Sequence, residues 1–469
     1  MSVGVVVLGA GPAGLATAAK LGRRREFQVT LVERAAAAGG NAGSFEIEGL
    51  RVDYGSHRLH PTCPPEILAD IRRVLGSDLL DRPRHGRIRL RRRWVHFPLK
   101  PLDLARNLPI GFAAGSLKDA VIKRPRGGNG HTFADVLQEG LGPTICRDFY
   151  FPYAEKIWGL SPNQLDGEQA RRRVSASTPG KMFRKILRAL PGLDKSGRAR
   201  FYYPRLGFGQ ISDAFLSSAH DASVDVRFQT TASAIEVVDG RARAVRLNAP
   251  ESEQRLETDA VLSTIPLPLL VKAMQPAAPP DVLASCAALQ YRAMVLVYVV
   301  LETDQFSEYD AHYFPEREIP VTRISEPKNY SLNGPRGLTV LCAEIPCGVD
   351  DATWAQSDDE LGATVLRALA AADLPVTSTV RRVVTRRLRQ AYPIYTLGYK
   401  EHFDRLDRWT EQIEGQVSLG RQGLFAHDNT HHTLAMAYAA CECLDDAGGF
   451  DRAAWAAHRR QFESNVVED

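Results

Sequence analysis

No stretch of this 469-residue chain is apolar for long enough to cross a bilayer. The longest run, "MVLVYVVL" at 294–301, is far short of the roughly 20 residues a spanning helix needs, so no membrane insertion is expected. Cysteine is scarce and unpatterned: seven residues, at 63, 146, 286, 342, 347, 441 and 443, with no CxxC pair. That argues against a zinc ribbon and against a disulfide framework. The opening "MSVGVVVLGAG" lacks the basic segment and cleavage site of a secretory signal, and a cytoplasmic location with reduced thiols is the expectation. No internal repeat or long low-complexity tract is found. Nor is one sign of charge in great excess: the net charge is +4, and without a binding motif no nucleic-acid partner is expected.

What is present is the composition of a globular chain, 44% hydrophobic and 24% charged, long enough to require two or three structural units. Its basic residues cluster, in "RIRLRRRW" (87–94), "RRRV" (171–174) and "RRVVTRRLRQ" (381–390). These are either solvated faces or the lining of a positive cleft for an anionic small molecule, since arginine forks match phosphate oxygens.

The N-terminal segment "VVVLGAGPAGLATAAKL" is more specific. An apolar strand ends at Leu8, Gly9-x-Gly11-x-x-Gly14 follows, and an alanine-rich helix begins; Glu33 then closes the next strand, "QVTLVE". A turn this tight brings backbone up to a pyrophosphate at a helix N-terminus, and the acid accepts from a ribose hydroxyl. A second glycine turn, Gly39-Gly40, and a hairpin-like stretch ending in Asp53-x-Gly55 favour FAD over NAD. Further on, residues 101–200 read as mostly helical and 225–265 as strands, with a hairpin at Asp239-Gly240. "YRAMVLVYVVLE" and "GLTVLCAEIP" read as long sheet strands.

The order of "YGSHRLHPT" (54–62), "RWVHFPLKPLD" (93–103), "YAEKIWGL" (153–160), "YPRLGFGQISDAF" (203–215), "VTRISEPKNYS" (321–331) and "SLGRQGLFAHDN" (418–429) resembles the UDP-galactopyranose mutase family and its amine oxidase-like and protoporphyrinogen oxidase-like relatives. The resemblance implies an α/β fold: a discontinuous Rossmann-like FAD-binding domain (1–80, 201–275 and 391–469), a mainly helical insert with a lid (81–200), and an antiparallel-sheet substrate domain (276–390). It implies FAD used in the reduced form, an external flavin reductant and a nucleotide sugar as the anionic substrate, with a homodimer as one possible assembly. The reaction implied is a pyranose–furanose isomerisation in which reduced flavin N5 attacks the anomeric carbon. The alternative is a redox enzyme of the amine oxidase-like group, an oxidase, dehydrogenase or desaturase.

Carried over by motif, Gly9, Gly11, Gly14 and Glu33 would hold the adenosine half of FAD, while Gly39, Gly40 and Gly55 lie nearer the flavin. His57 and His60 match histidines beside the flavin ring or are structural hydrogen-bonding residues; Arg421 matches an arginine close to flavin and substrate. Trp158 is either a lid-adjacent nucleotide contact or core. Arg323 matches a substrate-phosphate arginine, with a surface ion pair as the other reading. Two family tyrosines and an aspartate are replaced here by Phe425, His427 and Asn429. His427 can still donate a hydrogen bond, and Tyr392 and Tyr395 either supply replacement hydroxyls or pack on a strand.

His427 and His431 are four apart, a spacing that would suit a metal on one helical face. No third ligand is tied to them, and Asp428, Asn429 and Thr430 are all capping types before an apolar helix. They are expected to start a helix whose N-terminus faces the flavin, and no metal is expected.

Overall fold

The computed structural model describes residues 2–121, 130–174 and 200–467. The valine-rich strand Val3–Leu8 suits a pleated, buried position and is buried from Val5 onward. It lies in the middle of a five-stranded parallel sheet, ordered Gln416–Ser418, Ala260–Ser263, Val3–Leu8, Phe27–Val32 and Asp225–Arg227. Three remote parts of the chain therefore complete one sheet, as a discontinuous nucleotide-binding unit requires. Helix Pro12–Gly22 packs against Gln210–Asp221 and Thr430–Glu442. Its small buried residues, Ala13, Ala16, Ala18 and Ala19, let the helices approach closely.

Beside it, Thr231–Val238 and Arg241–Ala249 form the expected hairpin. Asp239 (φ +51°) and Gly240 (φ +76°) occupy its turn, both in the left-handed region that a tight turn of matching twist demands.

The second body is a seven-stranded sheet, ordered Val380–Ile394, Gln290–Leu301, Thr339–Cys347, Arg323–Ser325, Ala311–Tyr313, Gly86–Leu90 and Arg93–Phe97. All neighbours are antiparallel except Ala311–Tyr313 with Gly86–Leu90. Strand Gln290–Leu301 shows why "MVLVYVVL" carries no alternation: Val295, Val297 and Val299 enter one core and Met294, Leu296 and Tyr298 another. Each such side chain contributes roughly 1.5–3 kcal/mol by leaving water.

The mainly helical reading of 81–200 needs correction at its start. Leu79–Pro83 pairs with Arg200–Pro204, and "RIRLRRRWVHF" is a hairpin that extends the large sheet because Leu90 and Val95 are buried against it. Helices begin only at Pro101–Asn107 and continue through Phe133–Leu141, Phe151–Trp158 and Gly167–Arg173. The expected helix "PGKMFRKILRAL" and most of the loop "KRPRGGNGH" lie outside the described residues, as does much of the segment after Trp158 expected to hold a lid. No helix among the described residues is long and apolar enough to cross a membrane.

Candidate active site

A cleft of about 940 Å³ opens where the carboxyl ends of the parallel strands, at Leu8, Glu33 and Thr264, meet the large sheet at Leu296, Arg323 and Glu344. Carboxyl strand ends are where open α/β sheets bind ligands. The first glycine turn divides its work. A Cβ at Gly9 (φ +98°) would stand 2.5 Å from Thr264 Oγ1, and one at Gly14 would stand 1.8 Å from the Gly9 carbonyl oxygen. Both positions serve close packing. A Cβ at Gly11 would meet nothing within 4 Å, so backbone there is open to a ligand. Gly39 donates its N–H to the Ala10 carbonyl at 2.8 Å, and Gly40 stands against Gly11, so the two glycine turns form one wall. Glu33 lines the same wall, its two carboxylate oxygens accepting from Ala10 and Ala35 N–H at 2.8 Å each. Lone pairs remain for a hydroxyl.

Asp428, Asn429 and Thr430 line the cleft at the start of helix Thr430–Glu442, where the sequence places a cap. Asn429 N–H donates to His432 Nδ1 at 3.2 Å. Asp428 Oδ1 accepts from Asn465 Nδ2 at 2.9 Å, but Oδ2 is buried with no hydrogen-bond partner among the described residues. Such an orphaned oxygen is costly, and a bound polyol hydroxyl would satisfy it. Open backbone at Gly11, an acid at Glu33 and this orphan together fit a dinucleotide-linked flavin. Among the described residues no group of three His, Cys, Asp or Glu side chains is placed to hold a metal ion.

Of the two histidines expected beside the flavin, the fold brings one to the cleft. His57 Nε2 donates to the carbonyls of Asn41 (2.9 Å) and Tyr54 (3.0 Å), and its ring stacks on Phe208. Burial lowers its pKa, which keeps the ring neutral with its proton on Nε2. His60 does not line the cleft. A turn closed by Cys63 N–H to the His60 carbonyl folds it back, and its Nδ1 accepts from Thr62 N–H at 3.2 Å. Gly55 lines the cleft next to Glu344.

On the substrate side, Arg323 lines the cleft but is engaged by Glu344, its Nε donating to Oε1 at 3.0 Å and Nη2 to Oε1 and Oε2 at 2.8 and 3.0 Å. Tyr392 also lines it, with two guanidinium carbons over its ring, Arg173 at 5.4 Å and Arg421 at 5.1 Å from the centroid. Arg421 Nη2 donates to the Ala391 carbonyl at 3.0 Å. Trp158, Tyr395 and His427 form the layer beneath instead. Trp158 packs edge-on against both Tyr392 and His427, and Tyr395 donates its hydroxyl to the Phe425 carbonyl at 3.0 Å. Gln169 Oε1 accepts from Tyr395 N–H, which leaves Gln169 Nε2 to donate to His427 Nε2 at 3.0 Å. The His427 proton is therefore on Nδ1, and burial first, then Arg173, lowers its pKa well below the usual value.

Arg173 was hidden in "RRRV", yet helical spacing separates it from its neighbours. Arg171 and Arg172 stand three and four residues after Glu168 and pair with it at 2.9 Å each. Arg173 has no acid at those offsets and reaches Trp158 and Tyr392 instead. Tyr153, Arg389 and Gln422 also line the cleft; each lies within a stretch that the sequence singles out, but none carries a role there.

The model of the flavin containing amine oxidoreductase family matches residues 12–439. No curated protein matches the sequence. Among solved structures, reduced UDP-galactopyranose mutase is similar with a TM-score of 0.81 at 19% identity, over 100% of this chain and 98% of the other. A protein assigned as a protoporphyrinogen oxidase from Exiguobacterium sp. 255-15 follows at 0.70 and 19%, covering 94% and 98%. Putrescine oxidase bound to putrescine gives 0.61 at 17%, covering 94% and 98%. At these identities the structures speak for the fold. The family match, running from Pro12 to Ala439, leaves little of the chain outside it: this protein belongs to the flavin-containing amine oxidoreductases and is a flavin-dependent enzyme.

Proposed function

We propose that the protein is an FAD-dependent enzyme that, with its flavin reduced by an external donor, isomerises a nucleotide-activated sugar between ring forms. The observation that carries this reading is the pair Arg173 and Arg421 around Tyr392, neither of which is paired with a carboxylate among the described residues. Two like charges held around one ring, both only half-buried, favour an anion between or beside them. Arg387 and Arg389 add positive charge along the same cleft. An amine in its ammonium form would be repelled here, whereas a diphosphate matches the guanidinium forks.

A bound reduced flavin supplies a nucleophilic nitrogen without net oxidation of the substrate. The chain's own residues bind and orient. Arg173 and Arg421 hold the anionic leaving group and stabilise the charge that grows on it. His57, neutral and fixed by two carbonyls, keeps its proton at Nε2 and presents a ring face rather than a charge. The N-terminus of helix Thr430–Glu442 adds a positive dipole to the cleft. The fold similarity to a UDP-galactopyranose mutase supports the reading without carrying it.

Two observations favour a second reading, a redox enzyme of the same family. Arg323, the arginine expected to hold a substrate phosphate, is neutralised by Glu344, and Phe425 is buried core rather than a donor. The two readings separate under anaerobic conditions. Turnover of a nucleotide sugar by reduced enzyme, with the flavin still reduced, supports the first; stoichiometric bleaching of oxidised enzyme by a substrate supports the second.

A further inference from the structure

Strand Val380–Ile394 is irregular opposite Gln290–Leu301. Tyr392 pairs with Arg292 and Leu388 with Met294, so the segment from Arg389 to Ala391 is bulged out of register. Bulges re-aim backbone groups beside functional sites, and the carbonyls freed here are used. Gln390 O accepts from Asn41 Nδ2 at 3.0 Å and from Gln422 Nε2 at 2.8 Å, while Ala391 O accepts from Arg421 Nη2 at 3.0 Å. One irregular strand thus anchors the second glycine turn and the two residues after Gly420.

The bond to Gln390 settles how the Gln422 amide is turned. Its nitrogen faces a carbonyl, so Oε1 is an acceptor, and that oxygen is buried with no partner among the described residues. The neighbouring Arg421 Nε is a buried donor in the same condition. Both residues line the cleft. An unpaired buried acceptor and an unpaired buried donor are each costly in the free protein, and a ligand that offers a donor to the acceptor removes that part of the cost.

We infer that Gln422 is a specificity-determining residue, its Oε1 accepting a hydrogen bond from a neutral donor on the bound ligand. The charge of Arg421 and Arg173 excludes a cationic donor. Of the neutral donors on the proposed ligands, the two whose loss the binding test separates are a sugar hydroxyl and the imide N–H of a flavin ring. The inference rests on the cleft being the flavin and substrate site, as proposed above.

The test compares holoenzyme of wild type, Gln422→Met and Gln422→Glu. Methionine keeps length and volume but removes the acceptor; glutamate keeps an acceptor oxygen. Flavin release on dilution is followed by fluorescence, and binding of UDP-galactose and of UDP alone by the flavin absorption change. Loss of one hydrogen bond weakens binding about threefold to tenfold. A sugar hydroxyl at Gln422 predicts that loss for UDP-galactose in Gln422→Met, with UDP and flavin unchanged. An imide N–H predicts faster flavin release and a shifted flavin band, with both nucleotides unchanged. In either case Gln422→Glu stays closer to wild type. Unchanged flavin release together with unchanged UDP-galactose affinity in Gln422→Met overturns the inference. Should wild type bind no nucleotide, the proposed substrate fails on its own, and flavin release alone then decides for or against Gln422.

Discussion

Arg323 and Glu344 stand directly opposite each other on neighbouring antiparallel strands and close a two-point ion pair, the side chains 12% and 5% exposed. Glu344 Oε1 also accepts from Ser56 N–H at 2.9 Å, so the pair ties the large sheet to the segment that carries His57. Breaking a buried pair by removing one charge typically costs about 3–5 kcal/mol. Glu344→Gln should lose stability on that scale in denaturant unfolding. It should also be rescued more than wild type by a nucleoside diphosphate, because Arg323 would then face the cleft with its charge uncompensated. Equal stabilisation of both proteins by the diphosphate would remove Arg323 from the substrate side.

Gly11→Ala separates cofactor binding from folding. The backbone there is extended, with φ −75° and ψ 177°, and the added methyl meets nothing within 4 Å. The melting temperature of the flavin-free protein should therefore be unchanged. Flavin affinity should drop at least about tenfold if the pyrophosphate approaches at this point. A variant that melts as wild type and keeps its yellow colour would mean that the cofactor does not run over Gly11.

Arg173→Ala should weaken nucleoside diphosphate binding by about tenfold or more, an effect that shrinks as salt is raised. Arg171→Ala, which loses a pairing to Glu168 at the surface, is the control and should bind as wild type. Titration followed by the flavin spectrum checks both. Equal effects from the two would mean that the cluster acts only through general charge.

Acid should destabilise the fold earlier than carboxylate titration alone would. His431 and His312 are buried, and burial pushes both pKa values down to about 3, against roughly 6.5 in an unfolded chain. Between those limits the unfolded state binds more protons than the folded one, so stability is full above about pH 6.5 and falls as pH drops toward 3. Urea midpoints at about pH 7.5 and about pH 4.5 should differ, and by less in His431→Gln. Identical differences in the two proteins would exclude His431 from the effect.

Much of the parallel sheet and the glycine wall was legible in the sequence because local chemistry dictates it: a valine strand, a turn that only glycine packs, and an acid at the next strand end. The helix start at Asn429 was legible for the same reason. The strands at 86–97 were not, since their register is supplied by Ala311–Tyr313, more than two hundred residues away. Tyr395 and His427 looked like site residues by position, yet the Gln169 amide holds both one layer below the cleft. His60 shares one motif with His57, and only the turn at Thr62 makes their rings part. Gln422 gave no sign because its orientation depends on a bulge in a distant strand.

Reduced enzyme should isomerise a nucleotide sugar without consuming reductant. An anaerobic assay decides this: the yellow protein is reduced with dithionite, offered UDP-, GDP- and dTDP-sugars in turn, and both ring isomers and the flavin spectrum are followed. The expected result is an isomerised sugar with the flavin still reduced at the end. No isomer from any sugar, together with oxidised enzyme bleached by some other candidate substrate, would contradict it and place the protein among the redox members of its family.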